Sequence, residues 1–306
     1  DDVRVLDNNL RGSAEKLDGY LDRIDFRQGD ILDYKIVEDA TKGAEVVYHL
    51  AYVNGTENFY NFPEKVLEIG VKGALNTLDA AIHCGVRRYV VTSSSEVYNQ
   101  PKRIPTPEDE RLVVPDVLNP RFSYGGGKII TELLAVHYAG KTELETVICR
   151  PHNVYGPNMG VGHVIPQFAL RLRDMVEEST QDILQFPIIG TGEETRAFCY
   201  VLDAIDAILL ATDHGEHRGI YHVGTEEEVS IRSLAEAVAK HRGIPIQIKV
   251  SENLSGAPSR RCPSIEKLRA LGYEPRWTLE QGIAETVDWY FSSGLSLPET
   301  KGVITR

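Results

Sequence analysis

Short β-branched runs alternate along this chain with longer stretches in which apolar residues recur at helical spacing. VRVLD (3–7), IDFRQGDI (24–31) and EVVYHLA (45–51) read as strands, a helical pattern follows near 63–84, and RRYVVTSSS (87–95) reads as the next strand. A helix from Tyr124 to about Ala139, a strand TVICRP (146–151), a helix near 164–177 and a strand around FPII (186–189) continue the alternation. From YHVGTEEEVSIRSLAEAVAKHRG onward come a strand, a capped helix, a strand near IQIKV, and helices at 264–271 and 279–292. Strands that alternate with helices predict βαβ units and a parallel sheet, hence an α/β fold. The loops around 99–120 and 250–263 carry Pro, Asn, Ser and Gly without periodicity, as active-site loops often do. There are no internal repeats and no low-complexity tract.

With 306 residues, 42% of them apolar, the chain can bury a full core. A formal charge of −12 repels polyanions, and no basic stretch is long enough to follow a phosphate backbone, which argues against a nucleic-acid partner. The longest apolar runs, such as Ala204 to Ala211, are too short to cross a bilayer, and DDVRVLDNN has no signal-peptide pattern. Cys84, Cys149, Cys199 and Cys262 show neither CxxC pairing nor disulfide-rich density, so a reducing compartment, the cytoplasm, is expected. No histidine stands at metal-ligand spacing from them, and no metal is assigned.

TSSSEVY (92–98) follows a strongly apolar strand, which puts its hydroxyls at the carboxyl end of a parallel strand, where open α/β sheets bind ligands. SYGGGKIITE (123–132) spaces Tyr124 and Lys128 at i, i+4, so the phenol and the ammonium share one helix face. A nearby ammonium lowers a phenol's pKa and makes a tyrosinate usable as a base toward a sugar hydroxyl. Between the two stand three glycines, each costing about 0.8–1.0 kcal/mol of helix stability relative to alanine. Stripping those side chains is expected to open space for close approach of substrate or a neighbouring loop, with Gly126 as the position to test. His49 and His152 sit at strand ends and read as packed neutral histidines.

VRVLDN, QGDI, VVYHLAY, RRYVVTSSSEVY, NPRFSYGGGK, RPHNVYGP, IGTGEETRAFCYVLDAI and SRRCPSIEKLRALGYEP, in that order, resemble the extended short-chain dehydrogenase/reductase family. The resemblance covers about residues 3–292 and is to the family's NAD-dependent nucleotide-sugar epimerases, dehydratases and decarboxylases. It implies a doubly wound parallel (Rossmann) sheet from residues 1–150 plus 196–222 that binds NAD. A smaller C-terminal α/β domain, 151–195 plus 223–306, would bind the nucleoside-diphosphate sugar. By the same resemblance Ser94 bonds the sugar hydroxyl, Tyr124 is the base, and Lys128 holds the nicotinamide ribose. Asp7 and Asn8 hold the adenosine ribose, where an acid favours NAD over NADP. Asp30 and Ile31 flank adenine, and Leu50, Ala51 and Tyr52 line the nicotinamide side. Asn153, Arg196 and Arg261 contact the diphosphate or nucleoside, a task suited to arginine's planar donor fork. Relatives pair the helices at 63–84 and 124–139 into a four-helix bundle, which implies a homodimer.

The glycine-rich strand-turn-helix that carries the pyrophosphate in such folds would precede Asp7. Its absence from the start of the chain leads to the expectation that roughly 20–30 residues of natural sequence lie upstream. Further departures from the family pattern are Gly70 for a common asparagine, Asn99 for a common glycine, His152 for a common aromatic, and the glycine triplet. The first three bear on cofactor grip rather than on catalysis.

Ser95 and Glu96 follow Ser94 where dehydratases of the dTDP-glucose type carry Asp-Glu, which disfavours that route. Ser-Glu here, with Arg261 in RCPSI, is similar to UDP-glucuronate decarboxylases. The expected activity is C4 epimerisation of a nucleoside-diphosphate sugar, with decarboxylation or dehydration as the alternative. A non-catalytic NAD-binding sensor or scaffold is a second alternative; it would not need both Tyr124 and Lys128.

Overall fold

The computed structural model describes residues 2–251 and 259–297. The loop read at 250–263 is therefore seen only at its two ends, and the C-terminal domain read through residue 306 extends past the described residues. The first part of the chain runs β1 (Arg4–Asp7), β2 (Asp25–Gln28), α1 (Tyr34–Thr41), β3 (Val46–His49), α2 (Thr56–Asn61) and α3 (Pro63–Leu67). A π-helical stretch, Glu68–Lys72, leads into α4 (Gly73–His83), and then come β4 (Arg88–Thr92), α5 (Ser123–Leu133) and β5 (Glu145–Pro151). The second part holds β6 (Val154–Tyr155), α6 (Val164–Glu178), β7 (Leu184–Ile189), β8 (Thr195–Ala197), β9 (Cys199–Tyr200), α7 (Val201–His214) and β10 (Gly219–Val223). It closes with β11 (Glu228–Ser230), α8 (Ile231–His241), β12 (Ile246–Ser251), β13 (Arg260–Arg261), α9 (Glu266–Arg269) and α10 (Leu279–Ser292).

The central sheet has the order β10-β5-β4-β3, parallel throughout. Alternation along the strands sorts their side chains onto two faces. Tyr89 and Val91 of β4 and Ile148 of β5 pack with Leu78 and Ala81 of α4 and with Ala135 and Ala139 just beyond α5. Val90, Val147 and Cys149 point the other way, onto Ala204, Ala207 and Ala211 of α7. Both faces are covered, which is why these strands read as continuous apolar runs. β1 and β2 form a separate parallel pair, and among the described residues no ladder joins β1 to β3.

A second core gathers Ile165, Phe168 and Leu172 of α6, Phe186 and Ile188 of β7, Leu234 and Val238 of α8, and Ile283, Val287 and Tyr290 of α10. β7 alternates buried and exposed positions and pairs in parallel with β12. Local chemistry starts these helices where the sequence indicates. Ser230 caps α8, and Thr278 with Gln281 forms a full capping box on α10, whose ends match the expected 279–292. The helix expected as one piece over 63–84 is interrupted at the π-helical stretch around Gly70, and the one over 124–139 leaves α-geometry after Leu133. α1 and α7 were not delimited by the sequence pattern. Among the described residues no helix is long and apolar enough to cross a membrane.

α5 is anchored to the sheet by a buried ion pair. Arg150, at the end of β5, donates from Nε and Nη2 to the two Glu132 oxygens at 2.8 and 2.6 Å, and both residues are almost fully enclosed. Ser93 Oγ donates to the same carboxylate, and Arg150 also reaches the Tyr98 hydroxyl and, at 2.8 Å, the Glu108 carbonyl. Removing one partner of such a pair leaves an uncompensated buried charge. Arg150→Met should therefore lower unfolding free energy by about 3–5 kcal/mol. Adding Glu132→Leu should recover most of that loss, and urea denaturation of the single and double variants measures both.

Candidate active site

At the carboxyl end of β4 the chain turns through Ser93, Ser94 and Ser95 into a 3₁₀ turn capped by Ser94, whose Oγ accepts from Glu96 N at 3.2 Å. Ser93 is spent on Glu132, whereas Ser94 hydrogen-bonds the Tyr124 phenol across from the first turn of α5. Ser95 is buried beneath the turn. Tyr124 is itself enclosed: Phe59 stacks on its ring at 5.1 Å between centroids, and Tyr52 meets it edge-on at 5.1 Å. Burial pushes the phenol up to about 12, with Glu96 adding to the rise and the Ser94 bond and Arg11 opposing it. The depressed phenol expected from the sequence is thus not what the ligand-free fold provides. Burial keeps Tyr124 protonated at neutral pH, and Lys128 is aimed elsewhere.

Lys128 Nζ donates to the Thr92 carbonyl at 2.6 Å and lies 4.0 Å from the centre of the Tyr52 ring, compared with 5.9 Å from that of Tyr124. Its enclosure pushes the ammonium down to about 7, with Glu132 pulling the other way. His49 and His152 are also buried, and desolvation holds both neutral, His49 near 3 and His152 well below its ordinary value.

Glu96 sits between two arginines. Arg261 Nη1 bonds its Oε1 at 2.6 Å and Arg121 Nη2 its Oε2 at 3.0 Å. Burial opposes the charge on Glu96, but the two guanidiniums outweigh it and hold the carboxyl below the usual glutamate range. Arg196 pairs in register with Arg261 across β8 and β13 and bonds the Thr195 carbonyl at 2.7 Å. Burial, reinforced by the neighbouring Arg261 charge, pushes it down to about 10. Asn153 is left-handed at φ 41° and commits its Nδ2 to the Ala197 carbonyl at 3.0 Å.

On the far side of Tyr52 opens a cleft of about 190 Å³ whose lining includes Asp7, Asn8, Ile31, Leu50, Ala51 and Tyr52. Asp30 stands beside it, accepting from Asn8 Nδ2 at 2.9 Å. Asp7 Oδ1 accepts from Asn9 N at 2.6 Å in a strand-end turn. An acid at a strand end, an apolar flank and an open cleft fit the adenosine end of a dinucleotide. The hydroxyl of Tyr52, one of the lining residues, is buried without a hydrogen-bond partner. A larger cavity of about 350 Å³, around Pro107, Glu108 and Lys267, contains none of the residues singled out from the sequence.

Two contributors escaped the sequence reading. Arg121 lies three residues before Tyr124, so it shares that helix-entry face, and the spacing was a usable signal. Arg11 lines the cleft, donates to the Asn54 carbonyl at 2.5 Å and bears on the Tyr124 phenol, and nothing local announces it.

The glycine triplet separates into three cases. A Cβ at Gly127 would overlap the Tyr52 hydroxyl, and one at Gly125 would come within 3.0 Å of the Glu96 carbonyl oxygen. At Gly126 the nearest atom would be Val114 Cγ2 at an ordinary 3.5 Å, so close approach belongs to the flanking glycines and not to the middle one. Gly126→Ala should raise stability by up to about 1 kcal/mol through helix propensity. Gly127→Ala should lower it, and thermal unfolding of the two variants measures the contrast.

The arrangement has known counterparts. A sequence model of the NAD dependent epimerase/dehydratase family matches residues 1–224. UDP-glucuronic acid decarboxylase 3 of Arabidopsis thaliana is 33% identical over 287 residues, 92% of this chain and 79% of that protein. The low-salt glycan biosynthesis protein Agl12 of Haloferax volcanii is 30% identical over 297 residues, 95% of this chain and 90% of its own length. The crystal structure of a double mutant of DesIV, a dTDP-glucose 4,6-dehydratase from Streptomyces venezuelae with NAD and DAU bound, superposes with a TM-score of 0.84 at 26% identity, covering 96% of this chain and 88% of that one. With a hydroxyl, a phenol and an ammonium at the end of a parallel strand and a family match over most of its length, this chain belongs to the NAD dependent epimerase/dehydratase family.

Proposed function

We propose that the protein is an NAD-dependent decarboxylase of a nucleoside-diphosphate uronate. The observation that carries this reading is the Glu96 carboxylate gripped by Arg121 and Arg261 beside Ser94 and Tyr124. Two guanidinium forks converging next to the hydroxyl-binding pair suit a sugar that carries a carboxylate at C6. Interconversion at C4 without loss of carbon needs only Ser94, Tyr124 and Lys128, whereas a carboxylate at C6 would give the arginine pair an anionic partner that a neutral sugar does not supply. The resemblance to UDP-glucuronic acid decarboxylases of Arabidopsis thaliana supports the same choice.

In this reading the lobe built on the central parallel sheet takes the dinucleotide, with Asp7 and Asn8 at the adenosine ribose and Asp30 and Ile31 beside adenine. Leu50, Ala51, Tyr52 and Lys128 face the nicotinamide ribose. Arg196 and Asn153 hold the diphosphate from the second lobe. NAD, when bound, supplies reversible acceptance of hydride from sugar C4. Ser94 and Tyr124 would hold the 4-hydroxyl, and Tyr124, after giving its own proton to solvent, would take the hydroxyl proton. The resulting 4-ketone lies β to the carboxylate, so the C5–C6 bond breaks with its electron pair moving to the C4 oxygen as carbon dioxide leaves. C5 would then take a proton from solvent, and Tyr124 would return its proton to the C4 oxygen as the ketone is reduced back to the alcohol, so that the cycle has no net redox change. Glu96 stays ionised and orients both arginines. The exposed Leu67, Ile130 and Leu133 on α3 and α5 suit a homodimer interface.

The test is incubation with NAD and, separately, UDP-glucuronate, UDP-glucose and UDP-galactose, read by mass spectrometry and NMR. Loss of carbon dioxide from the uronate is expected. A new stereoisomer at unchanged mass would instead assign epimerisation, and loss of water dehydration. Arg121→Gln and Arg261→Gln should each lower kcat/KM on the uronate by roughly 10- to 100-fold, the size of a lost charge-assisted contact. Tyr124→Phe should abolish turnover while bound NAD, measured by fluorescence, is retained.

A further inference from the structure

Tyr52 occupies an unusual place. Its ring lies face-on over Lys128 Nζ at 4.0 Å and edge-on to Tyr124, and its hydroxyl is buried without a partner in a slot between two helices. The slot exists because Gly70, in the π-helical stretch, and Gly127, in α5, both lack a side chain: a Cβ on either would overlap the Tyr52 hydroxyl. A large residue at one position and absent side chains at two others, on different elements, fit together as one lock. π-Helical insertions of this kind are frequent at functional sites.

We propose that Tyr52 is a positioning residue of the active site, whose ring face replaces water around the Lys128 ammonium and keeps it charged and aimed. The groups around Lys128 leave few others for that task. From β4 comes the Thr92 carbonyl, a neutral acceptor at 2.6 Å. From β3 comes His49, which is buried and uncharged. On α5 itself, Tyr124 is a neutral phenol, and Glu132 already has both oxygens on Arg150 and one on Ser93. The aromatic face therefore joins the Thr92 carbonyl and the shared charge of Glu132 in compensating a cation removed from water, and desolvated cation–π contacts are the strong ones. Gly70 and Gly127 matter through Tyr52, by letting its ring reach this depth.

The inference rests on Lys128 being the ammonium of the proposed reaction, but its test reads the ammonium directly and needs no turnover. With lysine labelled at 13Cε, the Lys128 resonance, identified by its loss in Lys128→Met, is titrated in the ligand-free protein. Two rings of nearly equal shape replace Tyr52: phenylalanine, which keeps the electron-rich face, and pentafluorophenylalanine, which does not. Tyr52→Phe should titrate with the parent, and the pentafluoro protein about one pH unit lower. A lower Lys128 pKa means that the charged form is lost earlier as pH rises. In any active preparation the alkaline limb of kcat/KM should then move down by the same interval. Equal titration of the pentafluoro protein and the parent would overturn the proposal. So would a fall of the same size in Tyr52→Phe, which would assign the effect to the hydroxyl. Loss of activity on UDP-glucuronate with the Lys128 shift intact would count against the proposed reaction and not against Tyr52.

Discussion

The placement of the helix that carries Tyr124 and Lys128 depends on one buried interaction, the two-pronged pair of Arg150 with Glu132. It joins the carboxyl end of β5 to the last turns of α5, and through Ser93 it takes in the end of β4 as well. Three elements are thus fixed at one point, and from the helix so held Tyr124 reaches Ser94 and Lys128 reaches the Thr92 carbonyl. Buried ion pairs contribute little net stability when compared with apolar packing. What this one supplies is register: slide α5 by a turn and the carboxylate loses both prongs. The Arg150 contacts to Tyr98 and to the Glu108 carbonyl extend the same constraint to the loop that carries the 3₁₀ turn after Ser94.

Around that anchor, burial dominates the electrostatics. Tyr124 is pushed up to about 12 and Lys128 down to about 7, so desolvation drives both toward their neutral forms. Glu96 escapes because two guanidiniums reach it, and its charge in turn fixes where they point. The protein therefore holds a protonated phenol and a lysine near the midpoint of its titration next to a Glu96 carboxylate bound by two arginines. In the proposed reading the charges that enter are a cation beside the phenol and an anion beside the arginines. An enclosed, low-dielectric site makes each of those added interactions worth more than it would be in water.

The glycines of α5 show how local cost and tertiary gain are exchanged. Read as a helix, three consecutive glycines are a weakness. In the fold, two of them admit a backbone carbonyl and an aromatic ring that no larger residue would allow, and the middle one has no such neighbour. Gly70 belongs to the same account although it lies far off in sequence, since it admits the same Tyr52 hydroxyl from the opposite helix. A departure that bore on cofactor grip when read singly becomes half of a slot.

Periodicity alone determined the alternation of strands and helices, and with it the parallel sheet, because strands covered on both faces carry apolar residues at successive positions through their middles, as YVV and VIC do. The capped ends of α8 and α10 were legible for the same local reason: capping chemistry is written within four residues. Tyr124 and Lys128 could be singled out because one helix face carries both, and among the hydroxyls at the neighbouring strand end the family resemblance pointed to Ser94. The tertiary structure decided what spacing cannot encode. It turned Lys128 toward Thr92 and Tyr52, made Arg121 and Arg261 share Glu96 from positions far apart in sequence, and assigned separate neighbours to the three glycines. Those outcomes depend on which elements pack together and on how much water is left between them, quantities that no stretch of sequence carries by itself.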